Sequence, residues 1–201
     1  MNLYELAGLA SIVLTFVAYA PYIAAIRKRK VKPHFFSWVI WSITTTVVFF
    51  AQLSADGGAG AWPTGVSALI TIYVAILAWV LRSDISITRA DRGFLLASLA
   101  ALPAWFFTAD PLWSVVILTV VDALGFGPTL RKAYAYPHEE SLQFYTIFIV
   151  RSALSVLALE TRNLTTALFP VAMVVACCGV AVLLWWRRKT LAAAEIKKEH
   201  N

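Results

Sequence analysis

Apolar residues along this chain come in runs of about 20, which short polar connections interrupt. A helix needs about 20 such residues to cross about 30 Å of hydrocarbon. The runs predict spans at about 3–26, 34–53, 61–81, 91–108, 111–130, 141–160 and 164–186, the fourth being the shortest. Each run is too long for a barrel strand and lacks period-two alternation, so each reads as a helix. The expected fold is an all-α integral membrane protein with seven transmembrane helices.

One pattern occurs twice. Pro21 lies near the end of the first run, a basic cluster from Arg27 to Lys32 follows, and Pro33-His34-Phe35-Phe36-Ser37 opens the second run. Pro128 lies near the end of the fifth run, Arg131 and Lys132 follow, and Pro137-His138-Glu139-Glu140-Ser141 opens the sixth. The second copy trails the first by 107 residues at the first proline and by 104 at the second. This reads as a tandem duplication of a three-helix unit. Two such units run parallel only when one extra helix separates them, and the fourth run supplies it. The expected organisation is a first repeat at 1–81, a linker helix with its loop at 82–110, a second repeat at 111–187 and a basic tail at 188–201.

Composition agrees with the pattern. The 201 residues are 60% hydrophobic and 14% charged, and the mean hydropathy is +0.74. The net charge is +6, but its distribution argues against nucleic acid, because no basic face is interleaved with exposed aromatics. Of 17 basic residues, 15 fall after the first, third, fifth and seventh runs, Arg162 falls on the other side, and Arg151 lies within a run. The positive-inside rule then predicts an external N-terminus and a cytoplasmic C-terminus. Compact loops suit a prokaryotic inner membrane. The first span reads as retained, because Glu5 stands where a cleaved leader has a positive region. Trp62, Trp79, Trp105, Trp113, Trp185 and Trp186 lie near span ends, as an interfacial belt does. The adjacent Cys177 and Cys178 read as small packing residues.

With its layout of three, one and three helices, the chain resembles the PQ-loop and SWEET superfamily. The residues that carry the likeness are Pro21 to Ser37 and Pro128 to Ser141, and the family's dipeptide reads Pro21-Tyr22 and Pro128-Thr129 here. The resemblance implies a seven-helix fold. It also implies a function among those of the family: sugar transport, amino-acid export, vitamin carriage or reception of retrieved endoplasmic-reticulum proteins. It further implies that Pro21 and Pro128 act as gating hinges, with Gly125 and Gly127 softening the second. A static kink is the alternative for both prolines.

Two ionisable residues fall deep in the spans. Asp122 is about 16 Å into the fifth and Arg151 about 15 Å into the sixth from the opposite side, at about 1.5 Å per residue. Equal depth and opposite charge allow a pair. Arg151 could instead hold an anionic substrate group, or Asp122 a proton. In the duplicated register Asp122 matches Thr15, and Arg151 matches Val47.

Trp38 and Trp41 share a helix face. Trp41 could line a path for rings or sugars, with Thr45 and Thr46 as cavity residues, although small hydroxyl residues also serve packing. Tyr145 and Gln143 lie within two turns of Arg151. Gln52 reads as a gate or interfacial residue, and Asn163 as a helix cap. His34 and His138 read as inherited helix starts, with no metal-ligand spacing.

No phosphate loop, zinc motif or serine elbow occurs. The last span has no lysine for a retinal Schiff base. No cofactor, metal or enzymatic activity is expected. The expectation is a transporter that moves a small polar solute, such as a sugar, an amino acid or a vitamin-like ring, by alternating access with or without a proton. The alternative is a receptor or accessory subunit that binds without transporting. The expected partners are the small-molecule substrate and the bilayer. Two repeats in one chain leave a homo-oligomer allowed but not required.

Overall fold

The computed structural model describes all residues except 1, 30–32, 34, 82–88, 136, 139, 200 and 201, and leaves out the side chains of 90, 91, 94, 125, 127–129, 131, 132 and 193–199. The described residues form seven α-helices and one 3₁₀ turn. The helices are α1 (Leu3–Arg27), α2 (Phe35–Ser54), α3 (Trp62–Val80), α4 (Arg89–Thr108), α5 (Pro111–Ala135), α6 (Leu142–Leu157) and α7 (Leu164–Glu199); the turn is Gly58–Gly60. Four stretches are long and apolar enough to cross a membrane: Leu3–Arg27, Phe35–Ser54, Gly58–Val80 and Leu164–Ala192. Leu95–Thr108, Pro111–Leu124 and Leu142–Leu157 are shorter apolar stretches.

Local chemistry sets the helix starts. Asn2 and Glu5 form a reciprocal capping box at α1. Ser141 accepts from the Phe144 amide at 3.2 Å at α6. Asn163 is the expected cap: its Oδ1 accepts from the Thr166 amide at 3.0 Å, and Thr166 Oγ1 accepts from the Asn163 amide at 3.1 Å. α2 ends in a Schellman motif. The Gly57 amide donates to the Gln52 carbonyl and the Asp56 amide to the Leu53 carbonyl, with Asp56 at φ 55° in the left-handed position.

Three boundaries differ from expectation. α5 runs to Ala135 rather than ending near Leu130. α6 stops at Leu157 rather than near Glu160. α7 does not stop at Trp186 but continues to Glu199. The residues after 186 are good helix formers, and the span already provides the helical turns on which they extend.

In the packing, α3 lies against both α1 and α2, and α7 lies against both α5 and α6. α1 packs on α6, and α2 on α5; α4 covers α5 and touches α2. One core joins α2, α4, α5 and α7 around Val48, Ala101, Leu118 and Phe169. A second joins α1, α2 and α3 around Ile26, Trp38 and Val74, and a third joins α5, α6 and α7 around Ala133, Val180 and Leu184.

The two ends of the bundle are held differently. At one, the α2–α3 connection meets the α6–α7 connection. The Glu160 amide donates to the Gly57 carbonyl at 3.4 Å and the Thr161 amide to the Asp56 carbonyl at 3.3 Å. Ser155 Oγ donates to the Gly60 carbonyl at 2.8 Å. A Cβ on Gly60 would come within 2.7 Å of the Leu159 amide nitrogen, so only glycine allows this approach. These contacts form a seam between the two connections. At the other, basic end Arg187 and Arg188 of α7 donate to the Tyr134, Pro137 and Glu140 carbonyls, and α1, α2 and α6 meet through aromatic rings. Tyr19 of α1 lies edge-on to Phe144 and Phe148 of α6 at 6.3 and 5.5 Å, and to Trp38 of α2 at 6.3 Å.

Candidate functional site

Arg151 is 3% exposed. Its Nε donates to Thr15 Oγ1 of α1 at 2.9 Å, and its Nη2 donates to the Pro63 carbonyl at 2.6 Å and to Ser67 Oγ of α3 at 2.7 Å. Its own carbonyl accepts from Ser11 Oγ at 2.8 Å. The guanidinium also lies 5.5 Å from the Phe148 ring centroid. One residue of α6 thus ties three helices together. Its hydrogen-bond partners among the described residues are neutral.

The pair with Asp122 is not made. Among the described residues no ion pair joins them, and the Arg151 donors turn toward α1 and α3 instead. The reason is azimuth: equal depth along two helices does not make their side chains face each other. Asp122 is 7% exposed and lies beside Thr44 of α2. The Thr44 hydroxyl donates to the Ile40 carbonyl at 3.0 Å, so its one proton is engaged there. Asp122 Oδ1 is buried with no hydrogen-bond partner, and so is Thr119 Oγ1, three residues earlier on the same helix. Tyr19 of α1 lies edge-on to Phe148, the same ring that the Arg151 guanidinium faces, so α1 and α6 meet there.

Thr15, which matches Asp122 in the sequence, is the residue that Arg151 engages across the α1–α6 contact. Asp122 meets Thr44 across the α2–α5 contact, one turn from Val47, the register match of Arg151.

Comparison with protein-family models, with curated proteins and with solved structures finds no match.

The other sequence candidates separate. Tyr145 is not brought to Arg151: its hydroxyl donates to Glu140 Oε2 at 3.0 Å, and its ring packs in the core with Ala133 and Cys177. Thr45 Oγ1 donates to the Trp41 carbonyl at 2.7 Å and lies 3.1 Å from Thr71 Oγ1, so it fastens α2 to α3. Thr46 is half-buried, and Trp41 is exposed, edge-on to Trp38. Pro21 sits inside α1 on an exposed face. α5 stays helical through 125–128, while the side-chain surroundings of Gly125, Gly127 and Pro128 lie outside the described residues, as does His34.

Gln52 is neither exposed nor interfacial. It is fully buried, and its Nε2 donates to the Thr166 carbonyl at 2.8 Å. Thr166 stands four residues before Pro170, whose ring nitrogen cannot donate to that carbonyl. Gln52 supplies the missing donor from α2, which low-dielectric surroundings require.

Sequence reasoning missed Ser11, Ser67 and the seam. Gly57, Gly58 and Gly60 were the available signal, since a glycine cluster between spans marks close backbone approach. Two open grooves of about 560 and 540 Å³ lie between α4 and α5 and between α1 and α3, both with almost wholly apolar walls, and Tyr19 lines the second.

Proposed function

We propose that the chain crosses the bilayer seven times as two parallel three-helix units, α1–α3 and α5–α7, joined by α4, and that it carries a small polar solute by alternating access. The observation that carries this reading is the matched packing. In each unit the third helix lies against the first two, and the units meet through two equivalent contacts, α1 on α6 and α2 on α5. Such parallel repeats place a substrate site between the units near the midplane. In this reading the buried Asp122 and Arg151, with Tyr19 and Thr44, line that site.

The sequence likeness to the PQ-loop and SWEET superfamily supports the same reading. In it the basic end faces the cytoplasm of a prokaryotic cell and the seam faces outside. The seam and the aromatic cluster act as the two gates, with Pro21 and Pro128 as hinges on the cytoplasmic side. The substrate is a sugar, an amino acid or a vitamin-like ring, with a proton as a candidate coupling ion at Asp122. No ATP site or cofactor is part of the proposal.

Flux of labelled solutes into liposomes that contain the purified protein is the deciding measurement. Uptake above protein-free vesicles, saturable and lost on blocking the seam, supports a carrier. Tight binding with no flux for any solute overturns it. The extent of hydrogen bonding across the seam favours one second reading, a receptor or accessory subunit that binds without moving. The same experiment separates the two.

A further inference from the structure

The groove between α1 and α3 has a charged end. Every residue that lines it belongs to one of these two helices, and both are long and apolar enough to cross a membrane. On α1 Phe16, Ala20, Ala24 and Arg27 follow one another along one face. Leu69 and Tyr73 line the groove from α3. Phe16, Leu69 and Tyr73 are exposed, so the groove opens outward rather than into the bundle. Arg27 stands at its end, and Lys28 and Arg29 follow at once, all three exposed. Among the described residues, no charged side chain lines the α4–α5 groove.

We propose that this groove holds one anionic phospholipid of the leaflet at the basic end, with an acyl chain along the apolar walls and the phosphate on Arg27. The dimensions fit. From Phe16 to Arg27 the helix rises about 16 Å at about 1.5 Å per residue, and one leaflet's share of about 30 Å of hydrocarbon is about 15 Å. The groove is therefore apolar over the depth of one leaflet and cationic where the headgroups begin. The chemistry fits as well. A guanidinium donates to a phosphate through two parallel N–H groups. Three successive cations favour a headgroup of net negative charge over one that carries its own ammonium. A polar solute finds no partners along the apolar walls. A second copy of the chain, seated on this face by a two-fold axis, would bring the two basic clusters together at one depth. The inference rests on α1 and α3 crossing the bilayer, and it does not depend on the carrier reading.

The experiment is photolabelling of the full chain in detergent micelles that contain a few lipids per protein. The probes are phosphatidylglycerol and phosphatidylcholine with identical chains, each carrying a diazirine either near the headgroup or near the chain's methyl end. Peptide mapping then locates the adducts. The expected result is that phosphatidylglycerol labels the groove about 5-fold or more above phosphatidylcholine. The upper diazirine should mark the α1 turn of Ala24 and Arg27, and the lower one the turn of Phe16. Arg27→Gln should remove the preference, and Ala20→Trp, which fills the groove, should remove the labelling. Both positions are exposed, and the comparison of the two lipids uses the unaltered protein, so a variant that fails to fold does not obscure the answer. Equal labelling by the two lipids overturns the proposal. So does labelling that shows no depth order, that avoids the groove, or that survives Ala20→Trp in a folded protein. A Tyr73→Cys variant that forms a disulfide-linked dimer in vesicles, with no lipid adduct in the groove, overturns it in favour of a second copy. Groove labelling without solute flux in liposomes keeps this proposal and removes the carrier. Flux without groove labelling does the reverse.

Discussion

Arg151 reaches across the α1–α6 contact and donates to Thr15 Oγ1 at 2.9 Å. Thr15 is the position that matches Asp122 in the duplicated register. Position 122 therefore carries an acid where position 15, its match in the sequence pattern, carries the hydroxyl that receives the arginine.

Substitutions at Thr15 should change stability with opposite signs. Thr15→Val removes a hydrogen bond to a charged group and should cost about 1.5–3 kcal/mol. Thr15→Asp gives the guanidinium a counter-charge at the same place and should raise the Tm above that of the wild type. It should also lower affinity for any ligand that needs Arg151. Thermal unfolding of the two variants in one detergent checks both signs. A loss of stability in both would mean that Arg151 does not lack a counter-charge.

Gln52 and Pro170 should be energetically coupled. Gln52→Leu leaves the Thr166 carbonyl without a donor and should cost about 1–3 kcal/mol. In a Pro170→Ala background the helix regains its own amide, so the same change should cost much less. A double-mutant cycle from chemical or thermal unfolding measures the difference. Additive effects would show that Gln52 holds the helices by packing alone.

Gly60→Ala should loosen the seam. The new Cβ would meet Leu159 atoms at 2.6–2.8 Å, one of them backbone nitrogen. The cost should be about 1–3 kcal/mol, as for other overpacked sites. A Ser155→Cys reporter should then react faster with a membrane-impermeant thiol reagent than it does with Gly60 intact. Unchanged reactivity would mean that the α6–α7 turn absorbs the methyl group locally.

Trp38→Ala should act at the basic end alone. Trp38 stacks on Tyr22 at 5.4 Å and meets Tyr19 edge-on. Its loss should cost about 3–5 kcal/mol while Ser155→Cys reactivity at the seam stays at its wild-type rate. A parallel rise in seam reactivity would show that the two ends open together.

The helices were legible because long apolar runs demand them, and α1 to α3 begin and end within a few residues of the sequence reading. Depth was legible too, since rise per residue places Asp122 and Arg151 along their axes. Azimuth was not. Which way Arg151 points depends on where α1 and α3 lie, and no apolar run specifies that. The seam was hidden for a different reason: Gly60 contributes a missing side chain, and periodicity scores only what is present. Gln52 escaped because its purpose depends on Pro170, a residue 118 positions away whose missing donor counts only once the helices touch.

α7 runs for 36 residues without a break in helix. At about 1.5 Å per residue this is about 54 Å, against about 30 Å of hydrocarbon. About 20 Å of rod therefore stands beyond the hydrocarbon, continuous with the turns that pack against α5 and α6. A tilt of α7 by about 10° would sweep the rod's far end through about 4 Å, as that length requires. The rod is thus a pointer that reports on the bundle's interior, and a spin label at Thr190 would read its angle.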